Sequence, residues 1–304
     1  MKITVIGTGA VGGYFGAKLV NAGYDVSFIG TENSTNIIKE KGFYIKSPKG
    51  DIEIKEPKIS SNIEISYDSD IILVCTKAYT TLEIAQGLKN RIKPDALVIS
   101  LQNGVQNEKI LASHLGATNV IAASIYLSAS SPEAGVVEHG GSGKIILGEL
   151  DNTLSERLDM LKELFLKADI PTSTSDSLLK DMWVKLIVNS AYNGLTAIIE
   201  KSLKDINSIP HAKEAYFDIL KEGQGIANAE GIEITDTEIE KIYSMLDQPV
   251  FVSFKSSTLQ DFEKGKPLEL DAIQGEIIET AKRHSLKAPL NNLIYSILKL
   301  KTIY

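Results

Sequence analysis

One cysteine, no long apolar run and no surplus of positive charge set the first limits. Cys75 is the sole cysteine among 304 residues, so no internal disulfide can form, which fits a reducing cytoplasm. Its place inside "DIILVCTK" reads as a small buried core residue. No apolar stretch approaches the roughly 20 residues that span a bilayer. The opening "MKITVIGTGAVGG" breaks at Gly7 before a signal-peptide core builds, so neither membrane insertion nor export is expected. A formal charge of −7 repels polyanions and argues against nucleic acid or a membrane surface as a general partner. Internal repeats and low-complexity tracts are also missing. What is present is an ordinary globular composition, 43% hydrophobic and 23% charged, in a chain long enough for two sizeable cores.

The first half alternates strand and helix signals. "KITVIG", "DVSFIG", "DIILVCTK", "ALVISLQNG" and "NVIAASIY" are short, nearly continuous apolar runs, as in parallel strands covered on both faces. "AVGGYFGAKLVNAG" and "YTTLEIAQGLKN" between them have helical spacing, which gives the βαβ pattern of a doubly wound sheet. "FYIKSPKGDIEIKEPKIS" alternates about a Pro/Gly turn and reads as a hairpin insert. "GVVEHGGSGKIILGEL" is expected to add further antiparallel strands. After "TLSERLDMLKELFLKA", an amphipathic helix, and the extended link "DIPTSTSD", the pattern is almost wholly helical. The expected architecture is α/β: an N-terminal Rossmann-type doubly wound domain, residues 1–170, followed by an all-α domain, residues 171–304.

Gly7, Gly9 and Gly12 form G-x-G-x-x-G directly after the first strand and at the start of a helix, the context that gives this motif its meaning. Gly7 permits a tight turn, Gly9 lets backbone approach a pyrophosphate, and Gly12 allows helix–strand contact. The helix N-terminus adds N–H donors and a positive dipole. A dinucleotide is the ligand this arrangement takes. An acidic residue about 20 positions on favours NAD and a basic one NADP. Here Thr31 and Glu32 follow the second strand, with no Lys or Arg before Lys39, and a carboxylate repels a 2′-phosphate.

"DMWVKLIVNSAYNG", residues 181–194, is apolar enough for a buried helix, yet carries Lys185, Asn189 and Asn193 four residues apart. At about 100° per residue each such step drifts only about 40°, so the three share a face. Mid-helix asparagines are poor helix formers with no reason to stand on an open surface. If the stripe faces a gap between domains it meets the carboxyl end of the sheet, where ligands of such folds lie. There an ammonium can protonate a carbonyl oxygen as hydride reaches the carbon, and desolvation favours a lysine general acid. The alternative is a wet surface on which Lys185 pairs with Asp181. Asn103, at the end of an apolar strand, is placed to reach nicotinamide or substrate. Ser257, Gln260, Asp261 and Glu269 are polar residues between helical segments. Glu269 reads either as an inward carboxylate or as a helix N-terminal acid favoured by the dipole.

These pieces together resemble the ketopantoate reductase (2-dehydropantoate 2-reductase) family, over nearly the whole chain. The resemblance rests on "GTGAVGG" (7–13), "CTKAY" (75–79), "QNGVQNE" (102–108), "WVKLIVNSAYNGLTAI" (183–198), "SSTLQD" (256–261), "LELDAIQG" (268–275) and "APLNNLIY" (288–295). It implies reduction of 2-dehydropantoate to pantoate on the route to pantothenate and coenzyme A. By the same resemblance Lys185 is the general acid and Glu269 holds the substrate's hydroxyl. Asn189, Asn193 and Ser257 seat the substrate, Ser257 at its carboxylate. Asn103 stands at the nicotinamide–substrate junction. Gly7, Thr8, Gly9, Ala10, Val11, Gly12, Thr31, Lys77, Asn103 and Glu269 are the expected cofactor contacts. The family commonly grips the 2′-phosphate of NADPH with an Arg where this chain has Thr31. The resemblance therefore implies NADP, while the local residues leave NAD open. A paralogous reductase of another small 2-oxo acid, or a dinucleotide-binding sensor without catalysis, are the other readings. On the C-terminal helices, Leu290, Ile294 and Leu298 are core or subunit contact. Helical domains of this kind often pair, so a homodimer is the expectation.

Overall fold

A computed structural model describes residues 1–248 and 255–302. By its internal contacts the chain forms two units: residues 1–102 with 106–178, and residues 103–105 with 179–304.

The first unit is organised by apolar runs that pair in parallel. β1 (Lys2–Ile6), β2 (Asp25–Ile29), β6 (Ile71–Val74) and β7 (Leu97–Ser100) join β3 (Phe43–Lys46), β4 (Ile52–Ile54) and β5 (Lys58–Ser60). With β8 (Val120–Ser130), β9 (Val136–Gly148) and β10 (Thr172–Thr174) they make a ten-stranded sheet of order β4-β3-β9-β8-β7-β6-β1-β2-β5, β10 lying beside β9. From β8 to β5 every pairing is parallel. All four residues of β6 are buried, as expected of a strand with helices on both faces. The helices are α1 (Ala10–Asn21), α2 (Glu32–Lys41), α3 (Thr81–Leu88), α4 (Asn107–Leu115) and α5 (Glu156–Lys167). The chain leaves β1 toward β2 and β5 on one side, then starts again at β6 on the other. The switch point therefore lies between β1 and β6, where ligands of open α/β sheets bind.

Two expectations need correction. β5 does not extend the β3–β4 hairpin; it pairs in parallel with β2, because Pro57 turns the chain away after the hairpin. "VVEHGGSGKIILG" is one 13-residue strand rather than several, its glycines sitting where it lies antiparallel to β8. Helices α2 and α4 escaped notice because both are short and weakly apolar. β10, beyond residue 170, still pairs with β9. Cys75 is half-buried against the main core, and burial pushes its thiol well above the ordinary range.

The second unit is helical: α6 (Leu178–Ile199), whose first residue belongs to the first unit, α7 (Leu203–Asn207), α8 (Pro210–Ala229), α9 (Asp236–Ser244), α10 (Ser257–Glu263), α11 (Glu276–Arg283) and α12 (Pro289–Lys301). Trp183, Leu186 and Ile187 of α6 are buried with Tyr216 and Leu220 of α8. Gly223 lets α8 approach Ile187 so closely that a Cβ would stand 2.9 Å from its Cγ1. The Glu222 carboxylate accepts the N–H groups of Leu290 and Asn291 at 2.9 and 2.8 Å, so α8 caps the start of α12. Ile294 and Leu298 are buried within the chain itself and are core; Leu290 is half-buried. Among the described residues no helix is long and apolar enough to cross a membrane.

Candidate active site

The glycine turn is built from backbone. Gly7 adopts φ +107°, which an L side chain rarely tolerates. A Cβ there would lie 2.8 Å from the Cys75 carbonyl carbon and 2.9 Å from the Thr76 nitrogen, so the ends of β1 and β6 meet only because Gly7 has none. A Cβ on Gly12 would stand 1.9 Å from the Gly7 oxygen. Gly9 differs: nothing lies within 4 Å of its Cβ position. It is the N-cap of α1, supplies no side-chain cap, and no acidic residue follows in the first turn. Bare space, an uncapped helix start and no carboxylate are what a pyrophosphate requires, so this turn fits a dinucleotide. Ala10 and Val11 open the helix half-buried. The Thr8 hydroxyl donates to Ser34 Oγ at 3.3 Å, Thr31 is the N-cap of α2, and Lys77 precedes the short 3-10 turn Ala78–Thr80 after β6.

A buried amide network that sequence reading passed over holds the neighbouring loops. Gln102 donates from Nε2 to the Thr76 carbonyl at 3.1 Å and to Thr81 Oγ1 at 2.9 Å. Thr81 in turn donates to Asn107 Oδ1 at 2.8 Å. All three side chains are buried. Losing one such partner costs about 1–3 kcal/mol, so the loops after β6 and β7 are fixed together. The doubled Gln/Asn of "LQNGVQN" was the available signal.

In the second unit, Lys185 and Asn189 are half-buried and Asn193 is only 3% exposed. The stripe is therefore not an open, solvated face. Asn193 donates from Nδ2 to Ser257 Oγ at 3.4 Å. Ser257 begins α10 rather than lying between helices as expected. Its neighbour Ser256 is the cap, accepting the Leu259 N–H at 3.1 Å and bonding Thr196 at 2.7 Å. Asn103, in the segment that clusters with this unit, donates from Nδ2 to Glu269 Oε2 at 3.4 Å. Glu269 is buried and lies just before a helical turn. It is 8% exposed, and its carbonyl accepts the Ile273 N–H at 3.1 Å to open the π-helical turn Asp271–Gly275. Such a turn inserts an extra residue into a helix and is frequent at functional sites. Gln274 within it donates to the Ser190 carbonyl of α6 at 3.2 Å. Gly194 makes room, since a Cβ there would stand 3.1 Å from Gln274 Nε2. Gln274 and Gly194 were not singled out from sequence, because a π-turn has no period of its own.

Known proteins resemble this chain over both units. A family model described as ketopantoate reductase PanE/ApbA matches residues 3–152, and its C-terminal counterpart matches residues 177–302. A 2-dehydropantoate 2-reductase of Pyrococcus horikoshii is 33% identical over 304 residues, covering 99% of this chain and 97% of that one. The crystal structure of a PanE/ApbA family ketopantoate reductase from Ralstonia eutropha superposes with TM-score 0.91 at 29% identity, covering 99% and 98%. A D-mandelate dehydrogenase solved with NADH and anilino(oxo)acetate gives TM-score 0.92 at 26% identity over the same shares.

Proposed function

The chain belongs to the ketopantoate reductase family of oxidoreductases, and from that premise we propose that it is a cytoplasmic enzyme reducing 2-dehydropantoate to pantoate. Residues 1–170 hold the dinucleotide and residues 171–304 the substrate. The observation that carries the reading is the polar set on α6 and around it: half-buried Lys185 and Asn189 with buried Asn193, where Asn193 is bonded to Ser257 and Asn103 to Glu269. A nucleotide-binding sensor needs no ammonium and two carboxamides on one face of a helix.

A nicotinamide dinucleotide held at the glycine turn would supply the hydride that the carbonyl carbon receives. Lys185 gives its proton to the carbonyl oxygen, so that C=O becomes CH–OH and the lysine is left neutral until water reprotonates it. Glu269 accepts the substrate's hydroxyl. Asn189, Asn193 and Ser257 fix the remaining oxygens, Ser257 at the carboxylate. Asn103 stands at the junction of nicotinamide and substrate. Gly7, Thr8, Gly9, Ala10, Val11 and Gly12 receive the pyrophosphate, and Thr31 and Lys77 make further cofactor contacts. The 3.4 Å bonds of Asn103 and Asn193 suit groups that tighten only around a substrate. Positioning and the charged donor are the protein's share, since the cofactor carries the hydride chemistry. The resemblance implies NADPH as donor, while Thr31 and Glu32 leave NADH open. A homodimer belongs to the same reading, checked by the mass in solution.

A second reading, reduction of another small 2-oxo acid, is favoured by the likeness to D-mandelate dehydrogenase. One assay separates them: oxidation of NADPH and of NADH is followed with 2-dehydropantoate and with phenylglyoxylate. Turnover of 2-dehydropantoate with the higher kcat/KM supports the proposal, and turnover of phenylglyoxylate alone replaces it. Cofactor binding without oxidation by any 2-oxo acid leaves a sensor.

A further inference from the structure

The β1–α1–β2–α2 segment carries two helix N-termini, and they are finished in opposite ways. α1 starts on Gly9, with no side-chain cap, no acid in its first turn and open space beside the cap. α2 starts on Thr31, whose hydroxyl accepts the Ser34 N–H at 3.3 Å, and its first residue is Glu32. A helix start carries roughly half a positive charge. At α1 that charge is offered outward. At α2 it is already met by a hydroxyl oxygen and a carboxylate.

The end of β2 is lined with hydroxyls. A Cβ on Gly30 would stand 2.6 Å from Ser34 Oγ, 3.0 Å from Thr8 Oγ1 and 3.3 Å from Thr35 Oγ1. Thr8 belongs to the glycine turn and donates to Ser34, which also bonds Thr31 Oγ1 at 3.0 Å. Thr35 is 3% exposed, and its Oγ1 has no hydrogen-bond partner. That hydroxyl keeps its hydrogen-bonding capacity at the point where the other two converge. The first cation after Gly30 in sequence is Lys39, in the last turn of α2.

We propose that this end of β2 and α2 receives an unphosphorylated ribose and rejects a 2′-phosphate, so that the enzyme's hydride donor is NADH. The proposal rests on the dinucleotide reading given above and departs from the family's expected donor. Neutral hydroxyls and one carboxylate suit a ribose diol, whose O–H groups donate to Glu32. A phosphate monoester carries roughly −1.5 to −2 at neutral pH. Here it would meet the like charge of Glu32 and a helix start that Thr31 has already capped. Specificity then comes from a built-in repulsion as much as from new attraction.

The test is calorimetric titration of the full chain with NADH and with NADPH, read as Kd and needing no turnover. Wild type is expected to bind NADH at least about tenfold more tightly, the scale of a single like-charge contact. Glu32→Gln is expected to narrow that ratio by strengthening NADPH and weakening NADH, and Thr31→Arg to narrow it further. Lys77→Ala is expected to weaken both nucleotides alike. Equal or tighter binding of NADPH by wild type overturns the proposal. So does a Lys77→Ala protein that loses NADPH selectively, for then Lys77 grips the phosphate. Binding of neither nucleotide removes the dinucleotide reading and this proposal with it. Equal turnover of 2-dehydropantoate with a reversed Kd ratio overturns this proposal alone.

Discussion

The glycine turn and the α6 stripe both bring polar groups to a candidate site, yet they are made of different material. The turn is made of backbone. Its three glycines matter for the side chains they lack, as the 1.9 Å clearance at Gly12 shows. The stripe is made of side chains on a regular helix, where most substitutions keep the helix, and of its three residues Lys185 alone carries a charge. A backbone site is broken by adding atoms and a side-chain site by removing them. That contrast sets what each mutation should do.

The largest effect is expected on the side-chain site. Lys185→Ala should lower kcat by on the order of 10² or more, the usual loss with a general acid, while the Kd for dinucleotide and the urea midpoint stay near wild type. A kcat near wild type removes Lys185 from the mechanism. Next comes the backbone site. Gly12→Ala must push apart β1 and α1, because the obstacle is the rigid Gly7 carbonyl. Its unfolding free energy should drop by about 3 kcal/mol, the upper end for overpacking. Unchanged stability by denaturant titration would mean that the turn yields more easily than this packing implies.

Glu269→Ala should chiefly raise KM for the oxo acid, by roughly tenfold for one lost charged hydrogen bond, with a smaller change in kcat. An unchanged KM contradicts its placement at the substrate. Gly9→Ala sharpens the contrast, because its Cβ meets nothing. Its stability should stay within about 0.5 kcal/mol of wild type, while dinucleotide binding weakens as the methyl enters the pyrophosphate's space. The reverse pattern would show Gly9 to be a fold residue only.

The smallest effect lies away from both sites. His139 of β9 is buried, stacked on Tyr14 with ring centroids 4.3 Å apart, and bonded to Ser47 and the Ser142 carbonyl. Burial holds its pKa below the ordinary 6.5, with nearby Lys49 and Lys18 acting the same way. Below pH 6.5 the unfolded chain therefore binds a proton that the folded chain resists, so stability is full above that pH and declines as pH falls below it. The loss levels off once the folded-state pKa is passed. Thermal melts across this range should show the slope, and His139→Gln should flatten it.

Much of this was legible in the residues because it is local. Strands β1, β2, β6, β7 and β8 announce themselves as apolar runs, α1, α8 and α12 by their period and by Gly or Pro at an end, and α6 by its period alone. The fourfold spacing of Lys185, Asn189 and Asn193 fixes a shared face whatever surrounds it. Other features were hidden for a physical reason. β5 offers three residues whose partner, β2, is 31 positions away in register. Gln274 matters through Ser190, 84 residues distant, and Gln102 through Thr76 and Thr81.

The sequence by itself determined that a strand, a G-x-G-x-x-G turn and a helix occur in that order, and that an ammonium and two carboxamides line one side of a helix. Both follow from bond geometry and helical period, which need no distant partner. Only the tertiary structure decided that Asn193 is buried, that Glu269 meets Asn103 across 166 residues, and that α2 begins on a cap and a carboxylate while α1 begins on bare glycine. Burial and electrostatic surroundings are properties of what packs against a residue, and the chain supplies those neighbours from far along its length.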